Sequence, residues 1–412
     1  MSSSSPPDRP LSVACVSVSA ALGGSEWCLL DFVRRAEQHG ISAAVLAPKD
    51  GPLVQAARAD GLRVGVAAAP AELLGLSQRT RPGARTLATL LSGTRAWARA
   101  ITQEAQRTLG APPAVLYTNG FKAHLAGMLV PGPRRVWHLH EFPPEGIAPL
   151  WRALARTLPS SLIANSRSVG RAWQWLGRDP VVVHNGVDLE RFRPTPPTFW
   201  IHDLLDLHHD VPLIGMPSVF AKWKGHVQVI EAFERAAGRS EAHLVLVGGA
   251  IYDTSAERGY AEELVRRVGR SSLSGSTPRP LNDRIHFVKF QHEPWRMYPE
   301  FAVTVHFSAR PEPFGRVVAE SLASGVPPIA AKAGGPMEII DDGVTGWLIP
   351  VGDVAALADA MVRAVEAVGS PTAAQMGIAA RARAVAMFSA ERYAAEVAAE
   401  LRRVAGTLQA TA

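Results

Sequence analysis

Cysteine is nearly absent from this chain. Its 412 residues include only Cys15 and Cys28, which excludes a disulfide-stapled secreted scaffold and points to a reducing, cytoplasmic compartment. Both cysteines read as small buried hydrophobes. Charge of one sign is also scarce: 43 basic residues face 37 acidic ones, a net charge of +6. No basic block of the nucleic-acid-binding type is present, so nucleic acid is not an expected partner. The apolar stretch Leu11–Leu22 is far shorter than the ~20 residues a membrane-spanning helix needs. Met1–Pro10 before it carries one acid and one base, so no cationic leader is expected. Met1–Pro10 reads as a disordered tail and Leu11–Leu22 as the start of a buried parallel strand. The first loop, Leu22-Gly23-Gly24-Ser25, lacks the Gly-x-Gly-x-x-Gly fingerprint, which weighs against nicotinamide binding.

What is present suits a well-packed globular protein: 47% hydrophobic and 19% charged residues, in a length sufficient for two domains. Short apolar runs alternate with helix-period segments, which predicts an α/β architecture. Strands are expected at Leu11–Val18, Ser42–Ala47, Leu62–Val66, Ala114–Tyr117, Val136–Leu139, Leu162–Ala164 and Val181–Val183. Helices Ser25–His39 and Thr86–Leu109 lie among them. Arg191–Pro212 reads as a linker. A second series follows at Leu213–Met216, Leu244–Val247, Ile285–Phe290, Val303–Phe307, Pro328–Ala331 and Trp347–Ile349. Arg270–Pro280 reads as a surface loop. Helices Asp353–Val368, Ala373–Met387 and Ala390–Leu408 close the chain. The expected organisation is a tail at 1–10, a first Rossmann-like domain at 11–190, a linker at 191–211, a second at 212–387 and a last helix at 388–412.

The segment Ala309-Arg310-Pro311-Glu312-Pro313-Phe314-Gly315-Arg316, running on to Glu320, carries the chemistry. It places Glu312 in a strand-to-helix loop and Glu320 about two turns into the helix Arg316–Ala323, which ends at Ser324-Gly325. The first N–H groups of that helix carry partial positive charge, and Gly315 lets a phosphate approach. A carboxylate on either side of the phosphate matches the layout of a nucleotide sugar: sugar, diphosphate, ribose.

These residues resemble the retaining glycosyltransferases of family 4, which have the GT-B fold. Glu312 and Glu320 match the family's E-x(7)-E signature. In order along the chain, Leu22-Gly23-Gly24-Ser25-Glu26, His184-Asn185-Gly186-Val187-Asp188, Trp223-Lys224-Gly225, Ala323-Ser324-Gly325-Val326-Pro327, Gly334-Gly335-Pro336-Met337-Glu338 and Asp342-Gly343-Val344-Thr345-Gly346 extend the match over nearly the whole chain. The resemblance implies two Rossmann-like domains facing across a cleft, the last helix crossing back to the first. It implies a nucleoside-diphosphate sugar as co-substrate, no cofactor and no metal; Asp-x-Asp, the mark of the metal-dependent GT-A type, is absent. The acceptor stays open among glycan, lipid and small molecule.

The resemblance also assigns roles. Glu312 contacts the donor sugar and Glu320 the ribose. Phe314 and Gly315 offer backbone N–H groups to the diphosphate. Lys224 neutralises the leaving diphosphate, and His140 sits near the donor sugar, with His138 a packing residue. Gly23 and Gly24 face the diphosphate and acceptor. Gly248 and Gly249 line the nucleotide pocket. Gly334, Gly335 and Glu338 shape the region beside the sugar, and His286, Lys289 and Phe290 lie near the base. The family's arginine five residues before the lysine is Val219 here, and Lys222, Arg316 or a basic side chain from elsewhere is expected to supply that charge. Acceptor recognition is expected in Pro70–Pro82 and Phe142–Pro149. The six arginines of Gln78–Arg107 leave two readings: a surface helix on the sheet, which is favoured, or a peripheral contact with the inner membrane face. A non-catalytic sugar-nucleotide-binding protein of the same fold is the alternative to an enzyme.

Overall fold

The computed structural model describes residues 9–75, 84–143, 159–249, 251, 257–269 and 281–406. Most of the expected tail, segment 270–280, and parts of the two stretches nominated for acceptor recognition (76–82 and 144–149) lie outside the described residues. The chain divides into two compact units, Met1–Gly186 with Ala390–Ala412, and Val187–Ser389.

The first unit holds β1 (Leu11–Ser17), β2 (Ile41–Ala47), β3 (Val64–Val66), β4 (Val115–Asn119), β5 (Arg134–Leu139), β6 (Ser161–Ala164) and β7 (Val181–Val182). They form one sheet in the order 3-2-1-4-5-6-7, with parallel pairing throughout. Alternate residues of β1 enter opposite cores. Val13 and Cys15 join Leu29 and Phe32 on one face, while Ala14 and Val16 join Trp97 and Ile101 on the other. That two-sided burial is why β1 reads as an unbroken apolar run. Both cysteines are buried and free. The helix Ala390–Gly406 belongs to this unit and packs Tyr393, Val397 and Leu401 into the same core as Leu29.

The helix Ala84–Leu109 buries Trp97, Ala98, Ile101 and Ala105 and exposes Arg95 and Arg99. The Trp97 indole donates to the Ala67 carbonyl at 2.9 Å, so this helix packs on the sheet with Arg95 and Arg99 turned outward. Among the described residues no helix is long and apolar enough to cross a membrane.

The second unit holds β8 (Leu213–Val219), β9 (His243–Gly249), β10 (Ile285–Lys289), β11 (Val303–His306), β12 (Pro328–Ala331) and β13 (Trp347–Ile349), in the order 10-9-8-11-12-13. Strand β8 runs three residues past its expected end at Met216. Pro217 looks like a terminator because it cannot donate to a ladder, yet it holds register with Val247. Helix starts are set by caps: Ser370 accepts from the Ala373 N–H ahead of a helix beginning at Pro371, and Asp353 accepts from Ala356. Within residues 191–211, a helix forms at Trp200–Leu205, and Phe192 and Ile201 are buried in this unit's core.

Candidate active site

In the second sheet the strand order reverses between β8 and β11, which are neighbours. In open α/β sheets, ligands bind beyond the carboxyl ends of strands at such a switch point. The segment after β8 presents Trp223 and Lys224, and the segment after β11 presents Arg310 and Glu312. The Ala309 N–H donates to the Trp223 carbonyl at 2.8 Å and ties the two segments together.

Glu312 is the centre of this arrangement. Its Oε2 lies 2.9 Å from Lys224 Nζ, and accepts from Ser308 Oγ and His306 Nε2, both at 3.1 Å. Both side chains of the Lys224–Glu312 pair are 12% exposed. Burial alone would raise the carboxyl pKa, but the Lys224 charge and then His306 outweigh it and hold Glu312 well below the usual carboxylate range. The Lys224 ammonium also lies 4.0 Å from the centroid of the Trp223 ring.

The helix Arg316–Ala323 begins as its sequence predicts. Gly315 is its N-cap at φ +97°, and no side chain caps it, which leaves the positive end of the helix beside Glu312. Glu320, 6% exposed, accepts from Arg316 Nε at 2.8 Å and from the Tyr298 hydroxyl at 2.7 Å. Arg316, expected to serve an anion at the helix start, is thus turned one helical turn along its own helix. Lys222 likewise pairs with Glu263 at 2.9 Å and is largely solvated. Phe314 is buried and packs edge-on against Phe388.

Two glycines let the Glu312 loop lie flat on its neighbour. Glu312 bridges Gly334, and the Gly335 N–H donates to the Glu312 carbonyl at 2.8 Å. A Cβ on Gly334, at φ +70°, would sit 2.1 Å from that carbonyl oxygen, and one on Gly335 would sit 2.1 Å from the Phe314 oxygen. Glu338 stands in the first turn of the short helix Pro336–Ile339. Gly248, near the end of β9, passes the Ser218 carbonyl so closely that a Cβ would meet it at 1.8 Å. A side chain at Gly248 is therefore excluded by the neighbouring strand. His286 stacks on His243 in strand pair β9–β10, with Lys289 and Phe290 exposed beyond it.

Gly23, Gly24 and His140 lie in the first unit. Gly23 caps the helix Gly24–Arg35, and its N–H donates to Glu26 Oε2 at 3.2 Å. The chain's own carboxylate thus occupies that backbone donor. His140 follows β5. Burial pushes its pKa down to about 3, so the imidazole is neutral at pH 7, and its buried Nε2 has no hydrogen-bond partner among the described residues. His138, beside it at 3.9 Å between ring centroids, bonds the Tyr117 hydroxyl within the core.

Two family models match the chain in succession: Glycosyltransferase Family 4 over residues 22–191 and Glycosyl transferases group 1 over residues 202–383. The chain belongs to the family 4 glycosyltransferases. It is 28% identical over 259 residues to a GDP-mannose-dependent alpha-mannosyltransferase of Mycobacterium tuberculosis, covering 60% of this chain and 56% of that protein. It is 29% identical over 203 residues to a phosphatidyl-myo-inositol mannosyltransferase of Mycobacterium leprae, covering 47% of each. The chain thus spans about half the length of the curated relatives it matches. The solved structure of Anabaena HepE in complex with UDP-glucose superimposes with a TM-score of 0.76 at 24% identity, over 97% of this chain and 100% of that one. With its two parallel sheets, the chain has the two-unit α/β architecture of the GT-B fold.

In this family 4 member, sequence reasoning missed His306, Ser308 and Tyr298. His306 and Ser308 carry a weak signal, since both immediately precede the motif on the strand end that feeds it. Tyr298 carries none, because its contact with Glu320 crosses 22 positions. The glycine reading gives a direct test. Gly335→Ala is expected to destabilise the protein by about 3 kcal/mol or more, since the clash is with backbone that has no rotamer to relax into. Urea unfolding measures it, and a loss below about 1 kcal/mol would show that the Glu312 loop is not pinned there.

Proposed function

We propose that the protein transfers a sugar from a nucleoside-diphosphate sugar to a hydroxyl acceptor, with retention of anomeric configuration and without a metal ion. The observation that carries this reading is the Lys224–Glu312 pair set beside the uncapped start of the helix Arg316–Ala323. Lys224 and the helix N-terminus meet the charge that grows on the diphosphate as the glycosidic bond breaks. Glu312, held ionised, accepts hydrogen bonds from sugar hydroxyls. Glu320 does the same for the ribose, with Arg316 and Tyr298 fixing its rotamer. His140, neutral and with an open Nε2, suits a hydrogen bond to a sugar or acceptor hydroxyl rather than to a phosphate.

The relatives named as mannosyltransferases make GDP-mannose the first donor to try, and the HepE complex adds UDP-glucose. A lipid-borne hydroxyl is the acceptor class that the name of the Mycobacterium leprae relative supports. The test is thermal stabilisation and slow hydrolysis across GDP-, UDP-, dTDP- and ADP-sugars, with and without EDTA. One donor is expected to raise the melting temperature by several degrees, corresponding to about 2–3 kcal/mol at a hundredfold excess over Kd. EDTA should leave hydrolysis unchanged. Glu320→Ala should lose most of the stabilisation by that donor. A response to no donor favours a protein that kept the fold without the reaction.

A further inference from the structure

We propose that Asn119 and Asn165 join His140 as an acceptor subsite in the first unit, and that this set selects an uncharged ring polyol. The inference rests on the transfer reaction proposed above and adds its acceptor class. Asn119 ends β4, which lies beside β1 where the order of the first sheet reverses. That is where open α/β sheets take ligands. Strand register sets what surrounds it. Asn119 pairs with Ser17 on one side and with His138 on the other. The Asn165 N–H donates to the Leu139 carbonyl at 3.2 Å, which brings Asn165 abreast of His140. Tyr117, Val136 and Ile163 enter one core. Alternate residues of a strand share a face, so Asn119, His138, His140 and Asn165 point to that same side, at the carboxyl ends of β4, β5 and β6. The His138 and His140 rings accordingly lie 3.9 Å apart between centroids.

The polar atoms of this patch are buried without partners. Asn119 is 2% exposed, yet neither its Oδ1 nor its Nδ2 has a hydrogen-bond partner among the described residues. Asn165, also 2% exposed, has an open Oδ1, and the Nε2 atoms of His138 and His140 are open as well. A fold keeps such costly atoms together where a ligand satisfies them. Their chemistry names the ligand. Burial holds both imidazoles neutral at pH 7, His140 at about 3, so the four side chains carry no net charge. An amide offers donors and an acceptor together, and each hydroxyl of a polyol answers both. A phosphate or carboxylate only accepts, and would set its charge against the two Oδ1 atoms. The Glu26 carboxylate, which accepts from Ser17 Oγ at 3.5 Å beside Asn119, adds repulsion against an anion. A polyol lacking the matching hydroxyl leaves an amide unpaired, which is the source of selectivity.

Ligand-observed NMR titration of the full chain with myo-inositol, methyl α-mannoside and methyl α-glucoside tests this, with and without saturating GDP or UDP. The wild type is expected to bind at least one of these polyols. Asn119→Ala and Asn165→Ala should each weaken it about tenfold or more while changing the diphosphate Kd less than twofold. Asn119→Leu keeps the shape of the side chain and removes its unpartnered atoms. It should lose the polyol yet raise the melting temperature by about 2–4 °C, which a merely structural amide would not do. A wild type that binds none of the three polyols, or polyol Kd values within twofold of wild type in both alanine variants, overturns the assignment. So does a melting temperature that Asn119→Leu lowers or leaves unchanged, because the amide is then already satisfied by water or protein. A selective loss of nucleotide-sugar over diphosphate affinity in the alanine variants, with polyol binding intact, gives the patch to the donor's sugar instead. A polyol bound through Asn119 by a protein that binds no nucleoside diphosphate sinks the donor class and leaves this subsite standing.

Discussion

Lys224→Ala is expected to lower sugar transfer by about 10²–10³-fold, through loss of the cation that meets the leaving diphosphate. It is also expected to cost stability. Glu312 is left with His306 and Ser308 alone, and a buried carboxylate stripped of its partner costs about 3–5 kcal/mol. Glu312→Gln should lower transfer as strongly in kcat/KM but destabilise less, because an amide still donates and accepts at the same atoms.

These two effects separate in the double variant. Lys224→Met with Glu312→Gln removes both charges and keeps the volume. A buried pair replaced by uncharged groups is often neutral or stabilising. The double variant should therefore recover most of the stability that Lys224→Ala lost while remaining inactive. In the wild type, the folded pKa of Glu312 is depressed. The pair's contribution is therefore present above the unfolded value of about 4.3 and fades as pH falls below it. In Lys224→Ala that charge is gone and burial opposes ionisation, so its deficit relative to wild type should shrink as the pH falls and the carboxyl protonates. Steady-state kinetics and urea unfolding at pH 7 and pH 5 decide the matter. A folded Lys224→Ala variant within tenfold of wild-type activity would remove the lysine from the reaction.

How much of this was legible depended on whether the signal was local. The helix Arg316–Ala323 has the bounds its sequence predicts, because Gly315 and Ser324-Gly325 punctuate both ends, and Gly315 and Gly325 adopt positive φ. Strands β12 and β13 also coincide with their apolar runs, since both faces are covered and nothing polar interrupts them. Strand β8 did not, because one proline inside a strand looks the same as one after it. Pairings were less legible than positions. Glu312 stood out by its motif. That its carboxylate meets His306 at a strand end and Lys224 88 positions away follows only from the β8–β11 crossover. The i, i+4 spacing of Arg316 and Glu320 was readable as an ion pair, yet the expectation of an anion at the helix start competed with it. The carboxylate partner won because it is built in.

Acid should unfold this protein earlier than its modest net charge suggests. His124, His138 and His140 are packed together in the first unit, with His124 stacked on Trp137 at 4.9 Å and His138 against His140 at 3.9 Å. Burial pushes His124 and His140 down to about 3, and their mutual repulsion adds to that for His124. His138 is held well below its usual value for the same reasons. In the second unit, burial and then the Lys224 charge push His226 down to about 3. A histidine whose folded pKa is depressed binds its proton only on unfolding. The fold is therefore most stable above the unfolded value of about 6.5, and stability is lost as pH falls below it. Each of the three imidazoles held at about 3, His124, His140 and His226, costs about 2 kcal/mol at pH 5 relative to pH 7.5. Three together approach the whole stability of an ordinary domain, roughly 5–15 kcal/mol. The melting temperature should thus drop steeply between pH 7 and pH 5. His124→Gln keeps a partner for Thr118, which His124 bonds at 2.7 Å, and should remove about one proton from the slope of stability against pH. A melting temperature unchanged across that range would mean the three imidazoles take up protons without leaving the core.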